Sequence, residues 1–249
     1  MPRRSGLMVL LTTILSLSVL TPSYAATWTE DTSVGSTKYW SGITSSSDGT
    51  KLAATVYNGN IWTSTDSGAT WTEGTYVGST KSWFDITSSS DGTKLAATVM
   101  NGNIWTSTDS GATWTEDTSV GSTKNWRGIA SSSDGTKLAA TVNNGNIWTS
   151  TDSGATWTEG TYVGSTIAWR GITSSSDGTK LAAVDDGGYG NWGSGGNIWT
   201  STDSGATWTE RSAGRHYWFD ITSSSDGTKL AAVIAGGNQN IWTSTDSGA

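Results

Sequence analysis

Few residues in this 249-residue chain have the chemistry for catalysis. There is one His, His216, and no Cys; beyond Arg3 and Arg4, Arg occurs only at 127, 170, 211 and 215. These counts exclude a multi-histidine or thiolate metal site, a disulfide frame and a cysteine nucleophile. Glu stands only at 30, 73, 116, 159 and 210, each time closing the string T-W-T-E. A carboxylate copied five times at equivalent places is scaffold, so a general acid–base pair would have to come from Asp85, Asp220, Asp185 or Asp186. None of these has distinctive sequence surroundings. Asp185-Asp186 precede two glycines and could offer carboxylate and backbone oxygens to Ca²⁺, but two adjacent acids are not a full ligand set. His216, between Arg215 and Tyr217, reads as a solvated or hydrogen-bonded loop residue. The expectation is no catalytic residue, no metal and no cofactor.

These side chains sit in a repeat. The T-W-T-E Trp falls at 28, 71, 114, 157 and 208, a second Trp series at 40, 83, 126, 169 and 218, and a third at 62, 105, 148, 199 and 242; Trp192 completes the 16. A spacing of 43 residues, widened to 51 before the last copy, divides residues 27–249 into five units. In the first unit Trp40–Ser46, Lys51–Tyr57, Asn60–Thr65 and Thr70–Glu73 are short runs rich in Trp, Ile, Val and Thr. They are separated by Asp48-Gly49, Asn58-Gly59 and Asp66-Ser67-Gly68. Asp-Gly and Asn-Gly are hairpin signals, and no stretch has helical periodicity.

The expected fold is therefore all-β: a five-bladed β-propeller of four-stranded antiparallel blades. The last unit stops at Ser247-Gly248-Ala249, where every other unit continues into T-W-T-E, and residues 27–30 supply that string. Closure of the ring by the N-terminal strand is expected, with an open array or a fragment of a larger ring as the alternatives.

The segment Ser64-Thr65-Asp66-Ser67-Gly68-Ala69-Thr70-Trp71 recurs around Asp109, Asp152 and Asp203, and in shortened form around Asp246. It resembles the Asp-box, or BNR repeat, of propellers in sialidases, some other glycoside hydrolases, sortilin-type receptors and photosystem assembly factors of the Ycf48 kind. The resemblance spans essentially all of residues 27–249. It implies a structural role for Asp66, Asp109, Asp152, Asp203 and Asp246, whose carboxylates take amides of their own turns, and a packed Trp. Sialidases add an arginine triad, a Tyr-Glu nucleophile pair and an acid Asp. Four scattered Arg, no free Glu and no FRIP-like motif leave that set unmatched, so the chain is expected not to be an enzyme.

In a four-stranded meander the first and third turns share one end, while the second turn and the connection between blades share the other. The first turn, S-S-S-D-G-T, and the third, T-S-T-D-S-G-A, are identical in all five copies. Variation collects at the opposite end: Tyr39-Trp40, Trp83-Phe84-Asp85, Trp126-Arg127, Trp169-Arg170 and His216-Tyr217-Trp218-Phe219-Asp220, with second turns marked by Tyr57, Met100, Asn143 and an insertion holding Asp185, Asp186, Tyr189 and Trp192. A constant scaffold with one diversified end suggests a recognition surface. Aromatic faces interleaved with planar polar groups suit sugar rings, so a glycan is the first candidate ligand and a protein partner the second. The competing account is that long connections simply tolerate change, and that a Trp present in every unit is packing.

Residues 1–26 carry Arg3 and Arg4, an apolar run from Leu7 to Leu20 and small residues up to Ala26, the layout of a secretory signal peptide. Removing them leaves 12 basic against 21 acidic residues, a net charge of −9. That balance argues against nucleic acid or an anionic membrane as partner. The expectation is a monomeric protein, secreted or periplasmic, with no membrane span after residue 26.

Overall fold

A computed structural model describes residues 28–75, 77–161, 167–188, 195–236 and 240–249. The chain divides into Met1–Glu30 and Asp31–Ala249. Of the first part Trp28–Glu30 are described, with no strand among them and Trp28 fully exposed. The leader expectation and the insertion residues Tyr189 and Trp192 lie outside the described residues.

The second part is built wholly of strands and turns among its described residues. Its first unit is β1 (Trp40–Ser45), β2 (Leu52–Gly59), β3 (Ile61–Ser64) and β4 (Thr72–Gly74). The second is β5 (Lys81–Ser88), β6 (Leu95–Gly102), β7 (Ile104–Ser107) and β8 (Thr115–Glu116); the third is β9 (Lys124–Ser131), β10 (Leu138–Gly145), β11 (Ile147–Ser150) and β12 (Thr158–Gly160). The fourth is β13 (Ile167–Ser174), β14 (Leu181–Asp185), β15 (Gly196–Ser201) and β16 (Thr209–His216), and the fifth is β17 (Trp218–Ser223), β18 (Leu230–Ile234) and β19 (Trp242–Ser244). Each unit is an antiparallel meander; Leu52↔Ser64 and Ile61↔Gly74 set the register of the first. Every first strand is bulged after its Trp, as between Trp83 and Asp85 opposite Val99 and Thr98.

The turn residues explain the regular spacing. In the third turn of the first unit Ser67 and Gly68 take φ of 60° and 87°. Asp66 holds this left-handed pair by accepting the Thr70 N–H (2.9 Å) and hydroxyl (2.6 Å), while Ser64 Oγ accepts the Gly68 N–H (2.9 Å). The same bonds recur around Asp109, Asp152 and Asp203, and the Ser244–Gly248 part of them around Asp246. The hydroxyl and amide of Thr70 hold the Asp66 carboxyl down to about 2.

The core lies between units, where small and branched residues of one strand pair meet the Trp and Ile of the next. Ala53 and Ile61 pack with Trp83 and Ile86, Ala96 and Ile104 with Trp126 and Ile129, and Ala139 and Ile147 with Trp169 and Ile172. Trp114, Trp157 and Trp208 close the outer side of these clusters. The invariant turns are stitched in series by Ser47 N–H to Ser90 O, Ser90 to Ser133, Ser133 to Ser176 and Ser176 to Ser225, all at 2.7 Å.

Among the described residues the sheets do not close into a ring, so the closure expected from the two chain ends is not shown. β19 is a sheet edge, pairing with β18, and Trp28–Glu30 carry no strand. The outer faces of the first and fifth units stay open: Ile43 is 67% exposed where Ile86 is 3%, and Ile241 is 70% exposed where Ile61 is 2%.

Candidate functional site

The two ends of the units differ as the alternation of connections requires. Ser67 N–H donates to Thr50 O (2.9 Å), so the invariant first and third turns sit side by side. At the other end the second turn of one unit pairs with the first strand of the next, through Tyr57↔Ser82, Met100↔Asn125 and Asn143↔Ala168. Tyr57 N–H also bonds Tyr39 O (2.8 Å), Asp186 N–H bonds Ala168 O (3.2 Å) and Ala235 N–H bonds Tyr217 O (2.7 Å). The varied segments of neighbouring units are therefore contiguous.

The side chains there fall into two groups. Tyr39, Tyr57, Tyr217 and Phe219 are exposed, Tyr39 at 83%, and Met100 is half-buried. The Arg127 guanidinium lies 4.6 Å over the Phe84 ring, and Arg170 Nε donates to Asp186 Oδ2 at 2.7 Å. A planar cation stacked on an aromatic face keeps its shape with little entropy left to lose on binding.

In the second group four of the five first-strand Trp are buried. Trp83, Trp126, Trp169 and Trp218 are at most 1% exposed; each meets the third-strand Trp of its own unit edge-on, at 6.1 Å for Trp83–Trp105. Trp40 is 43% exposed, with no unit among the described residues over its outer face. Trp83, Trp126, Trp169 and Trp218 are packing residues, a correction to their placement on the recognition surface. Asp85 is also inside: Oδ1 accepts the Ile86 N–H (2.8 Å) and Oδ2 the Ile129 N–H (3.0 Å). Burial, with the nearby Asp220 charge, pushes its carboxyl up to about 6. Asp220 is raised as well, by burial, and accepts the Ile221 N–H. Asp185 is raised by burial although both its oxygens are bonded, one to Gly187 N–H and the other to Asn197 N–H and Trp199 Nε1. Among the described residues no three His, Cys, Asp or Glu gather as a metal site.

His216 differs from the expected loop residue. It ends β16 and packs 5.1 Å from Trp242 and 5.3 Å from Trp218. In the first three units that place belongs to Lys38, Lys81 and Lys124, whose ammonium groups lie 4.6–4.8 Å over Trp62, Trp105 and Trp148. The sequence signal for this stacking was the fixed offset of two residues before the first-strand Trp. The repeated Glu is tied to its own unit in the first three units: Asn60, Asn103 and Asn146 donate to Glu73, Glu116 and Glu159 at 3.0 Å.

No protein-family model matches the chain, and no curated protein does either. Solved structures with a similar fold include the GH74 enzyme of Niastella koreensis, with a TM-score of 0.61, 20% identity, and coverage of 84% of this chain and 30% of that one. Ycf48 bound to D1 peptide aligns at 0.59 and 17% identity over 83% of this chain and 64% of that one. A nidogen/laminin complex aligns at 0.59 and 17% over 79% and 72%. The chain thus spans less than two thirds of the first two, and at these identities the likeness is one of fold: an antiparallel β-propeller type. No helix among the described residues is long and apolar enough to cross a membrane.

Proposed function

We propose that this chain is an exported, non-enzymatic binding protein whose varied end recognises a carbohydrate, displayed on five Asp-box blades. The observation that carries the reading is the pair Tyr39 and Tyr57. Both are exposed and joined through their backbones, beside the Ser82 hydroxyl, which donates to Asn58 Oδ1 at 2.7 Å. Aromatic faces next to short polar side chains can stack on the C–H face of a sugar and bond its hydroxyls. The stacked Arg127–Phe84 pair extends the same chemistry to the next units. The leader-like residues 1–26 support export.

The absence of turnover is part of the proposal. Asp85 and Asp185 have both carboxylate oxygens taken by N–H groups, and Asp186 is paired with Arg170. A glycosidase needs two carboxyls that reach the same bond, and these are already engaged.

A glycan array probed with the wild-type protein and with Tyr39→Ala/Tyr57→Ala tests the reading. Both side chains are exposed, so the double variant keeps its fold; binding should fall at least tenfold. A blank array for the wild-type protein overturns the carbohydrate reading, and turnover of a fluorogenic glycoside overturns the non-enzymatic one. The second reading, a peptide or protein ligand, is favoured by the fold shared with Ycf48 bound to D1 peptide and with the nidogen/laminin complex. A blank array together with saturable binding of a purified extracellular protein, lost in the same double variant, selects it.

A further inference from the structure

The two open faces of Asp31–Ala249 are the two halves of a junction that the chain makes four times within itself. On one side of each internal junction stand an Ala and an Ile, on the other a Trp and an Ile; Ala53 and Ile61 against Trp83 and Ile86 is the first case. The fifth unit exposes Ile241 in the place of Ile61, and the first unit exposes Trp40 and Ile43 in the places of Trp83 and Ile86. The stitching bonds end the same way. Ser225 accepts from Ser176 as the last of the series, and Ser47 donates to Ser90 as the first, so a Ser225 N–H and a Ser47 carbonyl are the ends that a fifth such bond would join. Lys180 Nζ likewise reaches Asp226 O (3.1 Å) and Lys51 Nζ reaches Asp91 O (3.0 Å), leaving Lys229 and Asp48 as the matching terminal pair.

The fifth unit also has an unfilled socket. In the second, third and fourth units Trp114, Trp157 and Trp208 pack 6.2–6.3 Å from the first-strand Trp, over the Leu of the second strand. Beside the fifth unit the corresponding space is a groove of about 490 Å³ lined by Ile221, Leu230, Trp242, Gly248, Ile198 and Arg211. The copy of T-W-T-E not assigned to any unit is residues 27–30, and Trp28 precedes Trp40 by 12 residues, as Trp71 precedes Trp83.

We propose that two copies of this chain associate head to tail, the first unit of one seating against the fifth unit of the other and its Trp28 filling the groove beside β19. The internal junctions act as the template, since a second copy brings both halves together without altering the open arrangement of Asp31–Ala249. Such a contact is heterologous: each copy keeps one open face, so association either closes into a ring of copies or continues. It replaces the monomer expected from the sequence. It also removes two exposed apolar faces and an unpaired strand edge, features that otherwise promote uncontrolled association.

Sedimentation velocity over a wide concentration range tests it, using the wild-type protein, Ile43→Glu and Ile241→Glu. Both isoleucines are largely exposed, so each variant should fold, checked by circular dichroism. The wild-type protein should show concentration-dependent association and each variant alone should be monomeric. An equimolar mixture should form a one-to-one dimer, because one variant keeps the intact fifth-unit face and the other the intact first-unit face. Trp28→Ala should weaken the wild-type association at least tenfold. A wild-type protein that stays monomeric at every concentration overturns the proposal; a Tm lowered by Ile43→Glu in that monomer would assign the faces to closure within one chain. Association unchanged in both variants, or variants that do not pair when mixed, overturns it equally.

Discussion

Asp85 Oδ2 accepts the backbone N–H of Ile129 at 3.0 Å, so one buried carboxylate ties the first strand of the second unit to that of the third. The bond comes at the cost of burying a charge, and the Asp85 carboxyl is raised to about 6, chiefly by that burial. An unfolded Asp titrates near ~3.9. The folded protein therefore holds this proton more tightly. The contribution of Asp85 to stability is greatest at low pH, falls as pH rises from about 4 through about 6, and is level above that. The loss across that window is about 3 kcal/mol. Urea unfolding at pH 5 and pH 7 should show a decline for the wild-type protein that is reduced in Asp85→Asn. Asp220 and Asp185, also raised, leave the variant a shallower slope. Equal slopes in the two proteins would remove Asp85 as its source.

Gly128 stands where the first strands crowd together. A Cβ there would lie 3.0 Å from Arg170 O and 3.1 Å from Ile172 N, both backbone atoms with no freedom to turn away. Gly128→Ala should cost about 1–3 kcal/mol, the usual range for overpacking a close contact. Chemical denaturation measures it, and a change below experimental error would show that the strands can separate without penalty.

This crowding marks the limit of what the sequence discloses. The strand and turn order was legible because Asp-Gly, Asn-Gly and the Ser64–Trp71 string report local backbone preference, and the segregation of varied segments to one end follows from strand alternation. The meaning of the variation was only partly legible. Asp85 and Asp220 looked like diversity at a recognition surface. The structure shows a shared packing problem: a Cβ on Gly42 would meet Asp85 Cα at 3.0 Å, and one on Gly171 would meet Asp220 Oδ1 at 2.6 Å. Contacts between units more than 40 residues apart leave no trace in local pattern.

Trp126 and Trp40 hold the same place in the repeat with different surroundings. Trp126 is 1% exposed between the second and third units, whereas Trp40 is 43% exposed at the open face. Trp126→Ala should destabilise by about 3–5 kcal/mol, the range for deleting a buried aromatic. Trp40→Ala should cost clearly less in dilute solution, where the open face is unoccupied. Thermal or urea unfolding of the two variants checks the contrast, and equal losses would mean that the first-unit face is covered in solution even at low concentration.

The Thr156 hydroxyl donates to Asp152 Oδ2 at 2.6 Å, and its amide to Oδ1 at 2.9 Å. These bonds, with one from the Ser150 hydroxyl, hold the Asp152 carboxyl down to about 2. Asp48, Asp66, Asp91 and Asp134 sit at about 2 for the same kind of reason. A carboxyl lowered by folding contributes stability that is fully present above about 4 and is lost as pH falls through about 2. The repeated turns should therefore give a cooperative acid transition below pH ~4, opposite in sign to the Asp85 effect. Thr156→Val keeps the side-chain shape and the amide bond while removing the hydroxyl donor. Its Asp152 carboxyl carbon, followed by NMR, should titrate at a higher pH than in the wild-type protein, with Asp109 and Asp203 unmoved. An Asp152 titration left in place by the substitution would shift the credit to the backbone turn alone.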